Sequence, residues 1–213
     1  MIKVVANEPL TAASWGDSRR TQVGDWVLSA GNPFGLGGSV TAGIVSAEGR
    51  DLGSGPFDNF LQLDAPINPG NSGGPVFNMD GQVIGVSSVI VSPTGASVGI
   101  GFAIPSETVS QVVRQLLAKG TIQRGWLGVS VEDSDDAVII SAVDRTGPAA
   151  RAGVRAGDAV LAINGDRVTS SRGLIRAVAG VTPGESTRLT VRRQGQTMEL
   201  PVVVGLRPGT REE

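Results

Sequence analysis

The stretch Asn68-Pro69-Gly70-Asn71-Ser72-Gly73-Gly74-Pro75-Val76 decides how this chain is read. Taken alone it is a glycine-rich turn between two strands. Taken as chemistry it is a serine held on a tight turn, with glycines that let backbone amides aim inward. Acyl transfer needs such amides, because its tetrahedral intermediate places negative charge on an oxygen. A side chain at Gly70 would restrict the turn and crowd a substrate carbonyl.

Around this turn, up to about Pro105, short β-branched runs alternate with glycine-rich turns: VGDWVLSAG, SVTAGIVSAEG, NFLQLDAP, GGPVFNMDGQVIGVSSVIV and GIGFAIP. That pattern predicts an antiparallel barrel or sandwich. Asp80-Gly81 reads as a hairpin turn, and Arg50 to Asp58 reads as a mobile surface loop. A helix follows, with Ser106 as its expected cap and Glu107 at the positive end of its dipole. Val109, Val112, Val113, Leu116 and Leu117 form one apolar stripe expected to pack on the barrel. Lys119 and Gly120 are stop signals.

After the helix the pattern restarts. AVIISAV reads as a strand, Pro148 opens a short helix, and DAVLAIN is a strand ending in a turn at Asn164-Gly165. A helix from about Ser170 to Val181 and a hairpin about Gln194-Gly195 complete a small α+β module. The SVEDSDD stretch, with its acidic run Glu132 to Asp136, is expected as a solvated loop, and the RPGTREE tail as frayed.

The stretch DAPINPGNSGGPVFNMDGQVIGVSS closely resembles the D-x-A-I-N-x-G-N-S-G-G-P segment of the HtrA (Deg) serine proteases. Upstream, GDWVLSAGNPFGLGGSVTAGIVSAEGR is similar to a second segment of that family, and VGIGFAIPS to a third. GPAARAGVRAGDAVLAINGDRV resembles the PDZ signature. The resemblance covers nearly the whole chain. It implies a mainly β protein: a chymotrypsin-like second β-barrel with linking helix over 1–120, an α+β PDZ domain over 121–207, and a tail over 208–213.

Carried over residue by residue, the resemblance makes Ser72 the nucleophile. The amides of Gly70 and Ser72 form an oxyanion hole, with Asn71 between them. Ile67 and Ile100 line the primary specificity pocket, favouring small or medium apolar residues before the cut, although both also read as plain barrel core. Ser87, Ser88 and Val89 pair with substrate backbone. In the PDZ module, Trp126, Leu127, Gly128 and Val129 form a loop whose amides bind a peptide's terminal carboxylate, and Ile175 and Val178 line the side-chain pocket. Trp126 packing between domains is the alternative. Family members carry a longer segment before AVIISAV, which puts groove depth and affinity in question.

The chain has no histidine. A Ser-His-Asp triad needs imidazole to take the serine proton and a carboxylate to orient it. Ile2-Lys3-Val4 is similar to a family strand that follows the triad aspartate, so the first barrel, with both residues, is expected to be missing. Lys3 and Lys119 match no role as a substitute base, and Asp64 could act only with a large pKa shift. The expectation is therefore a serine endopeptidase of protein quality control, acting on unfolded or misfolded proteins, seen as its nucleophile half and inactive alone. The alternative is a pseudo-protease whose PDZ domain binds peptides.

A formal charge of −2, with arginines scattered rather than clustered, gives no sign of nucleic-acid partners. Zero cysteine excludes disulfides and thiolate sites. No cofactor or metal is expected. MIKVVANEPL has no secretory pattern, and no apolar run approaches the ~20 residues that cross a bilayer. The expected partners are unfolded chains, peptide C-termini at the PDZ domain, and the missing barrel. The resemblance implies a periplasmic location. Family members are often trimers, but through N-terminal segments not seen here.

Overall fold

Strands that bury every second side chain must wrap those side chains around a common core, and a closed barrel does so without leaving an edge. The computed structural model describes residues 4–55, 57–135 and 137–208, so the expected strand at Ile2-Lys3 and the end of the tail lie outside the described residues. The chain divides into two units, Met1–Thr121 and Ile122–Glu213.

In the first unit six strands close a barrel: β1 (Trp26–Gly31), β2 (Ser39–Arg50), β3 (Phe60–Asp64), β4 (Pro75–Phe77), β5 (Val83–Ile90) and β6 (Gly101–Pro105). They run in the order β1-β2-β3-β6-β5-β4, and each neighbouring pair is antiparallel. Val27, Val45, Leu61, Leu63, Val76 and Ile84 form the interior. Each such side chain contributes about 1.5–3 kcal/mol by leaving water. The Asp80-Gly81 turn is present, with Gly81 at φ +73° and its amide donating to the Asn78 carbonyl at 3.1 Å. Arg50 ends β2 rather than opening the expected loop, and the loop that follows is organised about the buried Asp58, whose carboxylate accepts the Leu52 and Ser54 amides at 3.0 and 2.8 Å.

Helix α1 (Ser106–Lys119) packs on β5 and β6. Its cap differs from expectation. Ser106 is the first helical residue, and its hydroxyl donates backwards to the Gly16 carbonyl at 2.7 Å and accepts the Ser18 amide at 3.2 Å. The capping hydroxyl is Ser18, which accepts the Glu107 amide at 3.2 Å from far back in the chain. Val109, Val112, Val113 and Leu116 are half-buried as expected. Leu117 turns outward, 69% exposed. Gly120 ends the helix in the left-handed region, its amide on the Leu116 carbonyl.

The second unit contains β7 (Gly125–Trp126), β8 (Val129–Ser134), β9 (Ala137–Val143), α2 (Pro148–Arg151), β10 (Ala159–Ile163), β11 (Asp166–Arg167), α3 (Ser171–Gly180), β12 (Ser186–Arg193), β13 (Gln196–Val203) and β14 (Gly205–Leu206). The main sheet has the order β13-β12-β10-β9-β8, with β11 paired to β10, and β7 pairs separately with β14. Val138, Ile140, Val160, Leu174, Leu189 and Val191 are among its core residues.

The SVEDSDD stretch is not a loop. Val129 to Ser134 form β8, which hairpins onto β9 and places Val129 and Val131 against the core. Tertiary pairing overrides the low strand propensity of its acidic residues. Asp136 lies outside the described residues.

Candidate functional site

The Ser72 turn sits between β3 and β4, and its shape is imposed from below. Asn71 donates its amide to the Asn68 carbonyl at 3.0 Å, and Gly74 donates to the Asn71 carbonyl at 2.8 Å. Gly73 donates to the Ser87 carbonyl at 2.7 Å, and Ser87 returns its amide to the Gly74 carbonyl at 2.9 Å. The amides of Gly70 and Ser72 have no acceptor among the described residues, so two N–H groups on either side of Asn71 stay available. Asn71 itself offers no amide to the site. Its fully buried side chain lies beneath Gly31, and neither Oδ1 nor Nδ2 has a partner among the described residues.

Gly70 has φ +107°, and a Cβ there would overlap the Asn32 carbonyl oxygen. The requirement for glycine is therefore set by the neighbouring Asn32-Pro33 backbone, besides any substrate. That neighbour also fixes the turn. The Asn32 amide donates to the Gly70 carbonyl at 3.1 Å, and the Phe34 amide to the Pro69 carbonyl at 2.9 Å. With both carbonyls held, the peptide planes of the turn cannot flip without losing hydrogen bonds.

Ser72 is exposed, and its Oγ donates to the Ser88 carbonyl at 2.9 Å. Below it the hydroxyls of Ser29 and Ser87, both buried, lie 3.1 Å apart and fasten β1 to β5. Ser29 and the Asn32-Pro33-Phe34 backbone were not singled out from the sequence. A hydroxyl amid the apolar alternation of β1 was the available signal for Ser29. Among the expected backbone-pairing residues, Ser87 already has its amide and carbonyl in use, Ser88 is half-buried, and Val89 is 40% exposed.

Ile67 is fully buried, in contact range of Gly101, and stands outside the barrel's core cluster. Its amide donates to Ser97 Oγ at 3.2 Å, and the Ser97 amide donates to Asn68 Oδ1 at 3.0 Å, tying the two loops beside Ser72 together. Ile100 is 38% exposed. Among the described residues no group of three or more acidic side chains is placed to hold a metal ion.

In the second unit, Trp126 pairs with Gly205 and is half-buried, Leu127 is buried, and Gly128 has φ +77°. The carbonyls of Leu127 and Gly128 accept the amides of Ala149 and Asp144, each at 2.8 Å. The amides of Leu127 and Gly128 have no acceptor among the described residues. β8 is the end strand of its sheet, with α3 packed alongside. Val129 is half-buried, Val178 belongs to the core, and Ile175 is half-buried outside that core.

Two family models match this chain: "Trypsin-like peptidase domain" over residues 1–86 and "PDZ domain" over residues 125–204. A solved structure of the HtrA-type protease AlgW with tripeptide is 39% identical, with a TM-score of 0.82, and the match covers 96% of this chain and 72% of that one. The chain belongs to the HtrA family of serine proteases. Other HtrA relatives agree. The serine endoprotease from Yersinia pestis is 35% identical with a TM-score of 0.67, the match covering 95% of this chain and 70% of that one. A Brucella suis protein named "Probable periplasmic serine endoprotease DegP-like" is 48% identical over 92% of this chain and 40% of its own length. A Rhizobium meliloti protein of the same name is 43% identical over 100% of this chain and 45% of its own length. The chain thus spans less than half of these curated HtrA relatives, and a periplasmic location follows from them. Among the described residues no helix is long and apolar enough to cross a membrane.

Proposed function

We propose that this chain is the nucleophile-bearing part of a serine endopeptidase that acts on unfolded or misfolded proteins. The observation that carries the reading is the turn itself: an exposed Ser72 with the acceptor-free amides of Gly70 and Ser72 on either side of Asn71. An attacked carbonyl placed against Ser72 would develop its negative charge towards those amides, where preorganised donors stabilise it most. Ile67 and Ile100 would receive an aliphatic residue before the cut, and Ser88 and Val89 would pair with the substrate backbone while Ser87 holds the turn from beneath.

By itself the chain would not run the reaction. It contains no histidine, and the Ser72 hydroxyl donates to a main-chain carbonyl rather than to a base. A first barrel bearing histidine and aspartate would complete the triad. The test is proteolysis of an unfolded casein substrate by this chain, with Ser72→Ala as control. No cleavage is expected. Cleavage that disappears in Ser72→Ala would overturn the claim of inactivity.

A second reading is a peptide-binding module in which catalysis plays no part, favoured by the absence of histidine and by the open β8 edge. In either case a peptide C-terminus would add to β8, its carboxylate on the Leu127 and Gly128 amides and its last side chain against Val129, Ile175 and Val178. The AlgW structures described with tripeptide and with decapeptide support this reading. Trp126, held by β14, would flank the carboxylate loop. The coding sequence upstream of Met1 separates the two readings. An in-frame histidine and aspartate in protease-like motifs favours the endopeptidase, and a stop codon with a promoter favours the binder.

A further inference from the structure

We propose that the groove between β8 and α3 selects peptides with a lysine or arginine fourth from their C-terminus, and that Glu132 is the residue that reads it. This deepens, and rests on, the peptide-binding reading above.

The register follows from sheet geometry. With the terminal carboxylate on the Leu127 and Gly128 amides, a peptide antiparallel to β8 sets its last residue opposite Val129. The preceding residues then oppose Ser130, Val131 and Glu132 in turn. The exposure of β8 alternates in step: Val129 and Val131 are half-buried, whereas Ser130 and Glu132 are exposed. Side chains directly opposite one another share a face, with Cβ atoms about 4.5–5.5 Å apart. The last and third-last peptide side chains therefore turn towards α3, and the fourth-last lies beside Glu132 on the open face.

Glu132 is free to act. Its carboxylate has no hydrogen bond or ion pair among the described residues. The adjacent Asp133 is not free: it accepts the Ser171 amide at 2.6 Å and the Ser171 hydroxyl at 2.8 Å, capping α3. This bond pair also joins β8 to the start of α3, so the groove closes one residue beyond Glu132. Readout is confined to about the last four peptide residues, with Glu132 as the final contact. Arg172 and Arg176 on α3 already interact within the chain.

The test is fluorescence anisotropy of this chain with fluorescein-labelled hexapeptides ending Lys-Ala-Ala-Leu or Glu-Ala-Ala-Leu, and with the first as its C-terminal amide. The lysine peptide is expected to bind about three- to tenfold more tightly than the glutamate peptide, the scale of one exposed ion pair against one repulsion. Raising the salt should narrow that gap. Glu132→Gln should remove the preference and Glu132→Lys reverse it, with circular dichroism confirming that both variants fold. Equal affinities for the two acids, with loss on amidation, would leave the groove reading standing and overturn the role of Glu132, as would a preference unchanged by Glu132→Lys. Failure of both acids to bind, or equal binding of the amide, would overturn the groove reading and this inference with it.

Discussion

Two glycines one residue either side of Asn71–Ser72 separate backbone strain from steric overlap. Gly70 and Gly73 both have positive φ, +107° and +83°. A Cβ on Gly73 meets nothing within 4 Å, whereas one on Gly70 overlaps the Asn32 carbonyl. Gly73→Ala should therefore cost only the left-handed backbone term, about 1 kcal/mol, and Gly70→Ala about 2–3 kcal/mol, read by urea unfolding followed by tryptophan fluorescence. Equal losses would show that the turn yields freely at Gly70. The Ser72 turn was legible because Gly70 and Gly73 mark left-handed positions, although the overlaps that also require glycine at Gly70 and Gly74 come from the backbone of Asn32 and Ala30. Asn32 and Ser29 were not legible, because their partners, Gly70 and Ser87, lie far away in the sequence and leave no local pattern. At Asp158, fully buried, loss of solvation alone would raise the carboxyl pKa. The Arg193 guanidinium at 2.7 and 2.8 Å and the Arg155 amide at 2.9 Å outweigh that and hold it below the usual carboxylate range. A depressed folded pKa stabilises fully above the unfolded value, about 3.9, and the contribution is lost as pH falls through the folded one. Arg193→Met should lower stability near neutral pH by about 3 kcal/mol, and its unfolding free energy should fall less steeply below about pH 4 than that of the parent. Parallel pH profiles for the two proteins would count against this pair as the source.

At the level of elements, the long-range caps are the features the sequence reading missed. Ser106 carried the expected local signature, but the hydroxyl that satisfies the first turn of α1 comes from Ser18, 89 positions away from the Glu107 amide it accepts. The same happens at α3, where Ser170 caps locally as its sequence suggests, at 3.1 Å to the Gly173 amide, while Asp133 of β8 adds a second set of bonds. Serine and aspartate are ordinary surface residues until a helix end is brought to them. Ser18→Ala should cost about 1 kcal/mol of stability in the first unit, and Ser106→Ala a similar amount through its Gly16 and Ser18 bonds, whereas Ser110→Ala, on the exposed side of the same helix, should change little. Thermal unfolding of the three variants decides it; a neutral Ser18→Ala would mean that water satisfies the Glu107 amide equally well. β8 was missed for the opposite reason. Acidic residues argued for a loop, yet its two valines and its hydrogen-bonding to β9 define it as a strand.

For the whole molecule, the two-part architecture was legible because turn chemistry and apolar alternation repeat on both sides of α1. The alternation alone left barrel and sandwich both open, and the resemblance chose the barrel; the sheet order was not legible, since it depends on pairings between distant strands such as β1 with β4 and β3 with β6. The surface of the first unit carries one more consequence. Trp26, Phe34, Leu36 and Val40 are 60%, 63%, 84% and 66% exposed, a concentration of large apolar side chains on and beside β1 and β2. Single exposed apolar residues are ordinary, but neighbouring ones along adjacent strands favour association. Trp26 opposes Ile44 and Val40 opposes Ala30, so these two share the outer face at opposite ends of the hairpin, while Phe34 and Leu36 lie in the turn between the strands near Val40. The chain should therefore self-associate in a concentration-dependent way, seen by multi-angle light scattering as a mass that rises above the monomer. Replacing Trp26 and Leu36 together by serine should lower that mass at equal concentration without unfolding the barrel, because neither side chain belongs to its core. A parent chain that stays monomeric at high concentration would sink the prediction. A double variant that associates as strongly as its parent would move the contact elsewhere on the surface.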